Sequence, residues 1–222
     1  MQKVMTPTEI AAHIDHTMLK PDMTYDDVKR LTKEAKEHSF AAVCVPPFFA
    51  QEAVQQLADT TVQVATVVGF PLGYSPTSAK VEEVKNCIDK EVDEIDAVVN
   101  IAAIKNKKWS FVTNDIQSIT TAAHLQGKVV KIIIETGLLT KAEMERVCEI
   151  CTKAEVDYVK TSTGFNGQGA TLEVVKLLRD LLPESIKIKA SGGIRSKETA
   201  LQMLEAGADR IGTSSGVALV EE

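Results

Sequence analysis

The chain has 222 residues, of which 44% are hydrophobic and 25% charged, so it is long enough to bury one sizeable core. Its net charge of -6 and its lack of a basic block argue against binding of the nucleic-acid phosphate backbone, which needs a cationic face. No apolar run is long enough to cross a membrane, and the stretch from Met1 to Ile14 lacks the apolar segment of a secretory signal.

Strand-like apolar runs alternate with amphipathic stretches along the whole chain, without a linker or a low-complexity segment. Short apolar runs bounded by turn residues predict eight strands. These strands are 13–19, 41–46, 63–70, 94–101, 129–136, 157–163, 186–191 and 210–214.

Helical spacing of apolar residues predicts helices between these strands, among them 25–38, 76–91, 141–154, 172–182 and 197–206. Capping-box and Ser-Pro start signals agree with them, at Thr24 with Asp27, Thr140 with Glu143, and Ser75 with Pro76. Gly207 suits a helix end. In segment 106–126, which holds Trp109 and several β-branched residues, we expect a helix only in the later part.

Eight strands, each followed by a helix, predict an α/β fold, a closed (β/α)8 TIM barrel that makes residues 1–222 a single catalytic domain. An open doubly wound sheet is the rival arrangement. It would carry a glycine-rich dinucleotide motif after its first strand, and Asp15-His16-Thr17 is unlike that motif. In a barrel, catalytic groups lie at the carboxyl ends of the strands, so we expect the site residues there.

Neither the cysteines nor the histidines predict a metal or redox site. Cys148 and Cys151 form a C-x-x-C pair, but helical spacing around them favours two small core residues. The histidines are scattered, with no spacing typical of a metal site, so we expect no metal and no cofactor. The cysteine usage indicates a reducing cytoplasm.

Lys160 is the residue around which the predicted site is built. It lies in the sixth predicted strand, in the stretch Asp157 to Gly164, which reads as a strand that runs into a polar loop ending in glycine. A lysine in a strand buried on both faces either pairs with a carboxylate or loses its proton. A neutral lysine amine is a nucleophile for carbonyl carbons.

A second lysine points to the same space. Lys189 lies near the end of the seventh strand, which neighbours the sixth in a barrel, so the two ammonium groups would repel and lower the pKa of one. Lowering a lysine pKa from about 10 to about 7 takes roughly 4 kcal/mol. Lys187, two residues earlier, more simply extends to solvent from the lower rim.

Asp96 interrupts the apolar fourth strand, and a buried aspartate needs a partner. Asp96 forms either a structural ion pair with one of the lysines or a proton relay with it. In both cases we expect Lys160 and Lys189 to share a single acid. Asp15 in the first strand is a second candidate, although it could instead anchor the loop that follows.

Glycine and hydroxyl residues follow the last three strands, at Gly164, Gly192-Gly193 and Gly212 to Gly216. Their exposed N–H groups suit a phosphate dianion. Carbon–carbon chemistry on a phosphosugar needs either a metal or a lysine imine, and these residues favour the imine.

Several motifs then resemble those of the 2-deoxyribose-5-phosphate aldolase family, in order and over nearly the whole chain. They are Ile14 to Asp22, Glu94-Ile95-Asp96, Val159 to Gly164, Lys189 to Arg195 and Arg210 to Ser215. The resemblance implies a metal-free, cytosolic class I aldolase that cleaves 2-deoxy-D-ribose 5-phosphate to glyceraldehyde 3-phosphate and acetaldehyde, in deoxyribose phosphate catabolism. It also implies a homo-oligomer, often a dimer.

Carried onto matching positions, the resemblance implies that Lys160 forms the Schiff base, that Lys189 perturbs its pKa, and that Asp96 donates and accepts protons with Lys189. The residues that it implies for substrate binding are Asp15, Cys44, Thr163, Gly164, Gly192, Gly193, Ser214 and Ser215. Two alternatives stay open: a transaldolase-like aldolase acting on another phosphosugar, and a catalytically silent barrel that binds a sugar phosphate.

Overall fold

Eight short parallel strands form a closed barrel in chain order, with the first strand paired to the last. The strands of this computed structural model are β1 (Ile14–Thr17), β2 (Ala42–Val45), β3 (Gln63–Val68), β4 (Glu94–Val98), β5 (Val129–Ile133), β6 (Tyr158–Lys160), β7 (Lys187–Ser191) and β8 (Arg210–Thr213). Each lies within a predicted strand, and the (β/α)8 TIM barrel is confirmed. The polar carboxyl ends of the predicted strands form the loops of the site face.

The structure describes residues 5–221. Residues 1–4, part of the stretch in which we expect no secretory signal, and residue 222 lie outside it. Within the described part of the chain, no helix is long and apolar enough to cross a membrane.

Ten α-helices and two short 3-10 helices, Pro47–Phe49 and Thr136–Leu138, accompany the strands in residues 5–221. The α-helices are α1 (Pro7–Ala11), α2 (Tyr25–His38), α3 (Ala50–Leu57), α4 (Thr77–Ile88), α5 (Ile101–Lys105), α6 (Trp109–His124), α7 (Lys141–Lys153), α8 (Leu172–Leu181), α9 (Lys197–Glu205) and α10 (Gly216–Glu221). The capping boxes predicted at Thr24 and Thr140 are both formed, and α9 ends two residues before Gly207.

Two helix predictions were wrong. Helix α6 fills almost all of segment 106–126, because Val112, Ile116 and Ile119 repeat at helical spacing and are buried, which outweighs the weak helix propensity of β-branched residues. Ser75 does not cap α4: Pro76 itself occupies the N-cap position, and no side chain accepts a hydrogen bond there.

Strand alternation divides the core into two layers. Outward side chains such as Val43, Ile132 and Ile188 pack against the helices in one continuous apolar cluster. Cys148 and Cys151 belong to this layer as predicted, and burial raises the pKa of both thiols, that of Cys148 to about 12. The inward layer is different, because between β4 and β8 it is made largely of charged side chains.

Candidate active site

Strand register brings the predicted lysines and aspartate together inside the barrel. Lys160 and Lys189 are direct neighbours on β6 and β7, and both side chains point inward. Each Nζ donates a hydrogen bond of 2.7 Å to the same oxygen, Oδ2 of Asp96 on β4. The prediction that two amines from adjacent strands share one buried carboxylate is confirmed, while Lys187 is exposed at the lower end of β7.

The expectation of a single acid was wrong, since three carboxylates lie in this network. Lys131 on β5 donates to Asp96 Oδ1 at 2.7 Å and lies 2.5 Å from Glu94 Oε2. Arg210 on β8 donates to Glu94 Oε1 at 2.6 Å. Lys131, Glu94 and Arg210 each lie in or beside an apolar strand, as Asp96 does. A charged residue in an apolar strand was the signal that identified Asp96, and the same signal was available for these three.

Asp15 is part of the same network and does not anchor the loop after β1. One of its oxygens forms an ion pair with Lys189 Nζ, and the other accepts a hydrogen bond of 3.0 Å from Arg210 Nε. Burial alone would raise the pKa of Asp15, but Lys189, Arg210 and Lys131 together lower it to about 2. The same holds for Asp96. Burial would raise its pKa, but the nearby lysines outweigh that effect and hold the pKa well below the ordinary value.

The network contains one more cation than carboxylates, and the pKa shifts indicate which cation is the extra one. Three carboxylates face four cations, so three cations are sufficient for neutrality and the fourth is surplus. Burial lowers the pKa of Lys160 below its ordinary value, and repulsion by Lys189 adds to this, although Asp96 pulls the other way. Burial also disfavours charged Lys189, but Asp15 and Asp96 outweigh it and raise the pKa of that amine.

Lys160 is also the lysine of this network that reaches the open pocket. A cavity of about 480 Å³ opens at the carboxyl ends of the strands, and Lys160 lies on its wall. Lys131 and Lys189 are fully buried beneath it. An amine with a lowered pKa at the base of a pocket can add to a carbonyl group that enters there.

Five predicted binding residues line this cavity, namely Thr163, Gly164, Gly192, Gly193 and Ser214. Cys44 lies deeper, in an apolar interior cluster with Ala65 and Val67, and burial raises the pKa of its thiol. Ser215 lines a neighbouring cavity with His16 and Glu34 instead. Polar residues of the wall that were not predicted from the sequence include Thr17, Lys20, Ser191 and Arg195.

The loop after β6 is fixed by a carboxylate that the sequence reading also missed. Glu135, buried at the end of β5, accepts hydrogen bonds from the Thr163 hydroxyl at 2.5 Å and from the Thr163 amide at 3.2 Å. The Thr163 hydroxyl in turn accepts a hydrogen bond of 3.1 Å from the Phe165 amide. Thr163 therefore holds the loop, and its hydroxyl already has two protein partners.

Across residues 5–221, no three side chains of the types His, Cys, Asp and Glu gather in a way that could hold a metal ion. His16 and His124 instead each contact one carboxylate, Glu34 at 2.6 Å and Asp157 at 2.8 Å respectively.

Comparison with known proteins identifies the family. A family model described as DeoC/LacD family aldolase matches residues 10–220. The deoxyribose-phosphate aldolase of Desulfitobacterium hafniense is 49% identical over 216 residues, which cover 97% of this chain and 99% of the relative. That of Thermococcus kodakarensis is 48% identical over 219 residues, 98% of both chains. The tetrameric deoxyribose phosphate aldolase from Aeropyrum pernix superposes with a TM-score of 0.91 at 33% identity, covering 97% of this chain and 91% of that chain. The chain therefore belongs to the deoxyribose-phosphate aldolases of the DeoC/LacD aldolase family.

Proposed function

We propose that this protein is a class I aldolase that reversibly cleaves 2-deoxy-D-ribose 5-phosphate to D-glyceraldehyde 3-phosphate and acetaldehyde through a Schiff base on Lys160. The observation that carries the proposal is the position of Lys160, a surplus cation with a lowered pKa at the wall of the pocket. The names of the relatives support the choice of substrate.

The reaction begins when the neutral amine of Lys160 adds to C1 of the open-chain sugar and water leaves, which gives an iminium ion. A base removes the proton of the C3 hydroxyl, and the electrons of the C2–C3 bond move into the iminium. C3 becomes the aldehyde of glyceraldehyde 3-phosphate, and C1 and C2 stay on Lys160 as an enamine. Protonation of C2 and hydrolysis by water then release acetaldehyde.

Asp96 and Lys189 are the groups we assign to proton transfer. Asp96 Oδ2 lies 2.7 Å from both Lys160 Nζ and Lys189 Nζ, so a proton can pass between the amines through one oxygen. Lys131 occupies the other oxygen, Oδ1, at 2.7 Å, and thereby fixes the orientation of the carboxylate. Burial of the whole set excludes water that would compete for these protons.

Phosphate binding is assigned to the loops after β6, β7 and β8, with Gly164, Gly192, Gly193 and Ser214 on the cavity wall. Ser215, which lines the neighbouring cavity, is assigned to it as the residue next to Ser214. Gly192 and Gly193 both have positive φ, 89° and 81°, and an added Cβ at Gly193 would meet no atom within 4 Å. Their amides make no hydrogen bond to another residue of the described chain and are free for an anion. Lys20 and Arg195 on the cavity wall add positive charge.

Trapping with borohydride tests the Schiff base. Incubation with acetaldehyde and borohydride should modify Lys160 covalently, located by peptide mass analysis. Lys160→Ala should remove both the adduct and the cleavage activity, while Lys187→Ala, an exposed lysine of β7, should keep both. Activity of Lys160→Ala above the level of a blank contradicts the assignment.

Product analysis separates the proposal from its alternatives. Acetaldehyde and glyceraldehyde 3-phosphate are expected from 2-deoxyribose 5-phosphate. Other products from another phosphosugar would indicate a transaldolase-like enzyme, and phosphate binding without any adduct would indicate a silent barrel.

We also propose a cytoplasmic homo-oligomer, with a dimer as the first state to test. Four free, buried cysteines fit a reducing compartment, and the related protein of Aeropyrum pernix is tetrameric. Light scattering of the purified protein, and fractionation of the cells that make it, test the two statements.

A further inference from the structure

Glu135 has an unusual backbone for a buried residue. It follows β5 with φ 54° and ψ 61°, the left-handed region that residues with a side chain adopt rarely, and its side chain has no exposed surface. A conformation of this kind persists only where the surrounding structure maintains it, and it is concentrated at functional sites. Glu135 has no part in the lysine chemistry described above, so its left-handed backbone needs another explanation.

The carboxylate of Glu135 is occupied by donors from one loop. It accepts from the amide and the hydroxyl of Thr163 and from Asn166 Nδ2 at 3.3 Å. Asn166 Nδ2 also donates to Pro71 O at 2.9 Å, which ties the loop to the segment after β3. No lysine, arginine or histidine pairs with Glu135 within residues 5–221, so neutral donors of this loop alone satisfy it.

This loop forms part of the proposed phosphate site. Gly164 lies between Thr163 and Asn166 and lines the cavity. Further along, the loop lies directly on the glycine pair after β7: a Cβ added at Gly169 would come within 2.1 Å of Gly192 O, and the Ala170 amide donates to Ser191 O at 3.0 Å. The position of the loop therefore sets the distance between the amide of Gly164 and those of Gly192 and Gly193.

We propose that Glu135 is a positioning residue for the substrate phosphate, and this rests on the proposed function. Its carboxylate holds the segment 163–166 in the form that aligns the Gly164 amide with the glycine pair after β7. A carboxylate suits the task because it only accepts hydrogen bonds, and all three groups around it donate. A glutamine in its place would set its own NH2 against at least one of these donors.

Glu135→Gln tests the role. We expect the KM for 2-deoxyribose 5-phosphate to rise about 10- to 100-fold with kcat within about threefold, the result of losing binding that ground state and transition state share. Cleavage of unphosphorylated 2-deoxyribose should keep its kcat/KM within about threefold, and borohydride trapping of acetaldehyde at Lys160 should proceed at the wild-type rate.

Glu155→Gln is the matched control. Glu155 has the same φ of 54° but is exposed, so the same substitution should leave both sugars unaffected. Should Glu135→Gln fail to fold, Asn166→Ala removes the other end of the contact at a partly exposed position, and the same selective rise in KM is expected.

Two outcomes overturn the proposal. Equal losses on the phosphorylated and unphosphorylated sugars would make Glu135 a structural residue only, and an unchanged KM in both variants would remove it from phosphate binding. Failure of the proposed function is a different result, since the wild-type protein would then trap no acetaldehyde and cleave neither sugar.

Discussion

At the scale of single residues, position distinguishes Lys160 from the other two lysines that contact Asp96. Lys131, Lys160 and Lys189 all contact Asp96, and all three are buried. Lys160 differs because it lies at the cavity wall, farther from Asp15 and Glu94, and so it is the cation left over when three carboxylates are neutralised. Burial is the main cause of the lowered pKa of Lys160, and repulsion by Lys189 adds to it.

Lys189→Leu should shift the pH dependence of imine formation upward. Lys189 lowers the pKa of Lys160 by repulsion, and it also competes for Asp96, so its removal raises that pKa. Because only the neutral amine reacts, the rate then falls at a higher pH as the solution is acidified. Acetaldehyde trapping at a series of pH values measures this even if turnover is lost.

Lys187→Leu provides the control for that series, since Lys187 is exposed on the same strand. An unchanged pH dependence of acetaldehyde trapping in Lys189→Leu would show that Lys189 does not influence the pKa of Lys160.

At the scale of the elements, a second buried ion pair supports the strand that carries Asp96. Lys80 of α4 donates to Asp115 Oδ2 of α6 at 2.7 Å and to Val98 O, at the end of β4, at 2.9 Å. Thr77 donates to the other oxygen of Asp115 at 2.8 Å. Both charged side chains are fully buried, and burial lowers the pKa of Lys80. This contact joins α4, α6 and β4 at one point.

Breaking that pair should destabilise the fold. Lys80→Met leaves Asp115 buried without its cation, and we expect a loss of about 3–5 kcal/mol in the free energy of unfolding, measured in urea. Lys80→Met with Asp115→Leu should recover much of the loss, since no charge then stays buried.

Lys85→Met is the control, because Lys85 pairs with Glu82 on the exposed face of α4 and should cost less than about 1 kcal/mol. Equal losses in the free energy of unfolding for Lys80→Met and Lys85→Met would show that the buried pair stabilises the fold no more than the exposed one.

At the scale of the whole molecule, the barrel interior has two unlike sides. Charged side chains from β4 to β8 and from β1 face the small apolar side chains of Cys44, Ala65 and Val67 on β2 and β3. The charges are tolerated there because each carboxylate has cationic partners. A buried carboxylate without a cation would strongly destabilise the fold. The stability of the fold therefore depends on the ionised state of the candidate active site.

Acid should weaken the protein through this network. The pKa of Asp15 is about 2 when folded against 3.8 for a free aspartate, so its ionised form contributes stability above pH 3.8, and this contribution is lost as the pH falls from 3.8 toward 2. The difference corresponds to about 2 kcal/mol. Asp15→Asn should be less stable than wild type at neutral pH, and the gap should narrow across that window in urea unfolding.

Asp22→Asn, at an exposed position, is the comparison for that series and should follow the wild type. A gap between Asp15→Asn and wild type that stays constant from neutral pH to pH 2 would contradict the assignment of acid sensitivity to Asp15.

The sequence alone determined the barrel, its strands and the starts of α2, α7, α8 and α9, because apolar periodicity and capping chemistry are local properties. It also identified Lys160, Lys189 and Asp96, since a charge inside a strand buried on both faces is conspicuous. The same signal was available for Lys131 and Arg210 but was not used, and alternation along one strand cannot show which carboxylates they meet across the barrel.

Only the tertiary structure decided the contacts that join distant segments. Glu135 lies within the predicted fifth strand and Lys80 within a predicted helix, but neither position shows its partner until packing places Glu135 against Thr163 and Lys80 against Asp115. Closure of the barrel likewise brings three acids and four cations into one dry interior, and the burial that lowers the pKa of Lys160 exists only there. Electrostatic energy depends on distance and burial in space, and neither is written in the order of the residues.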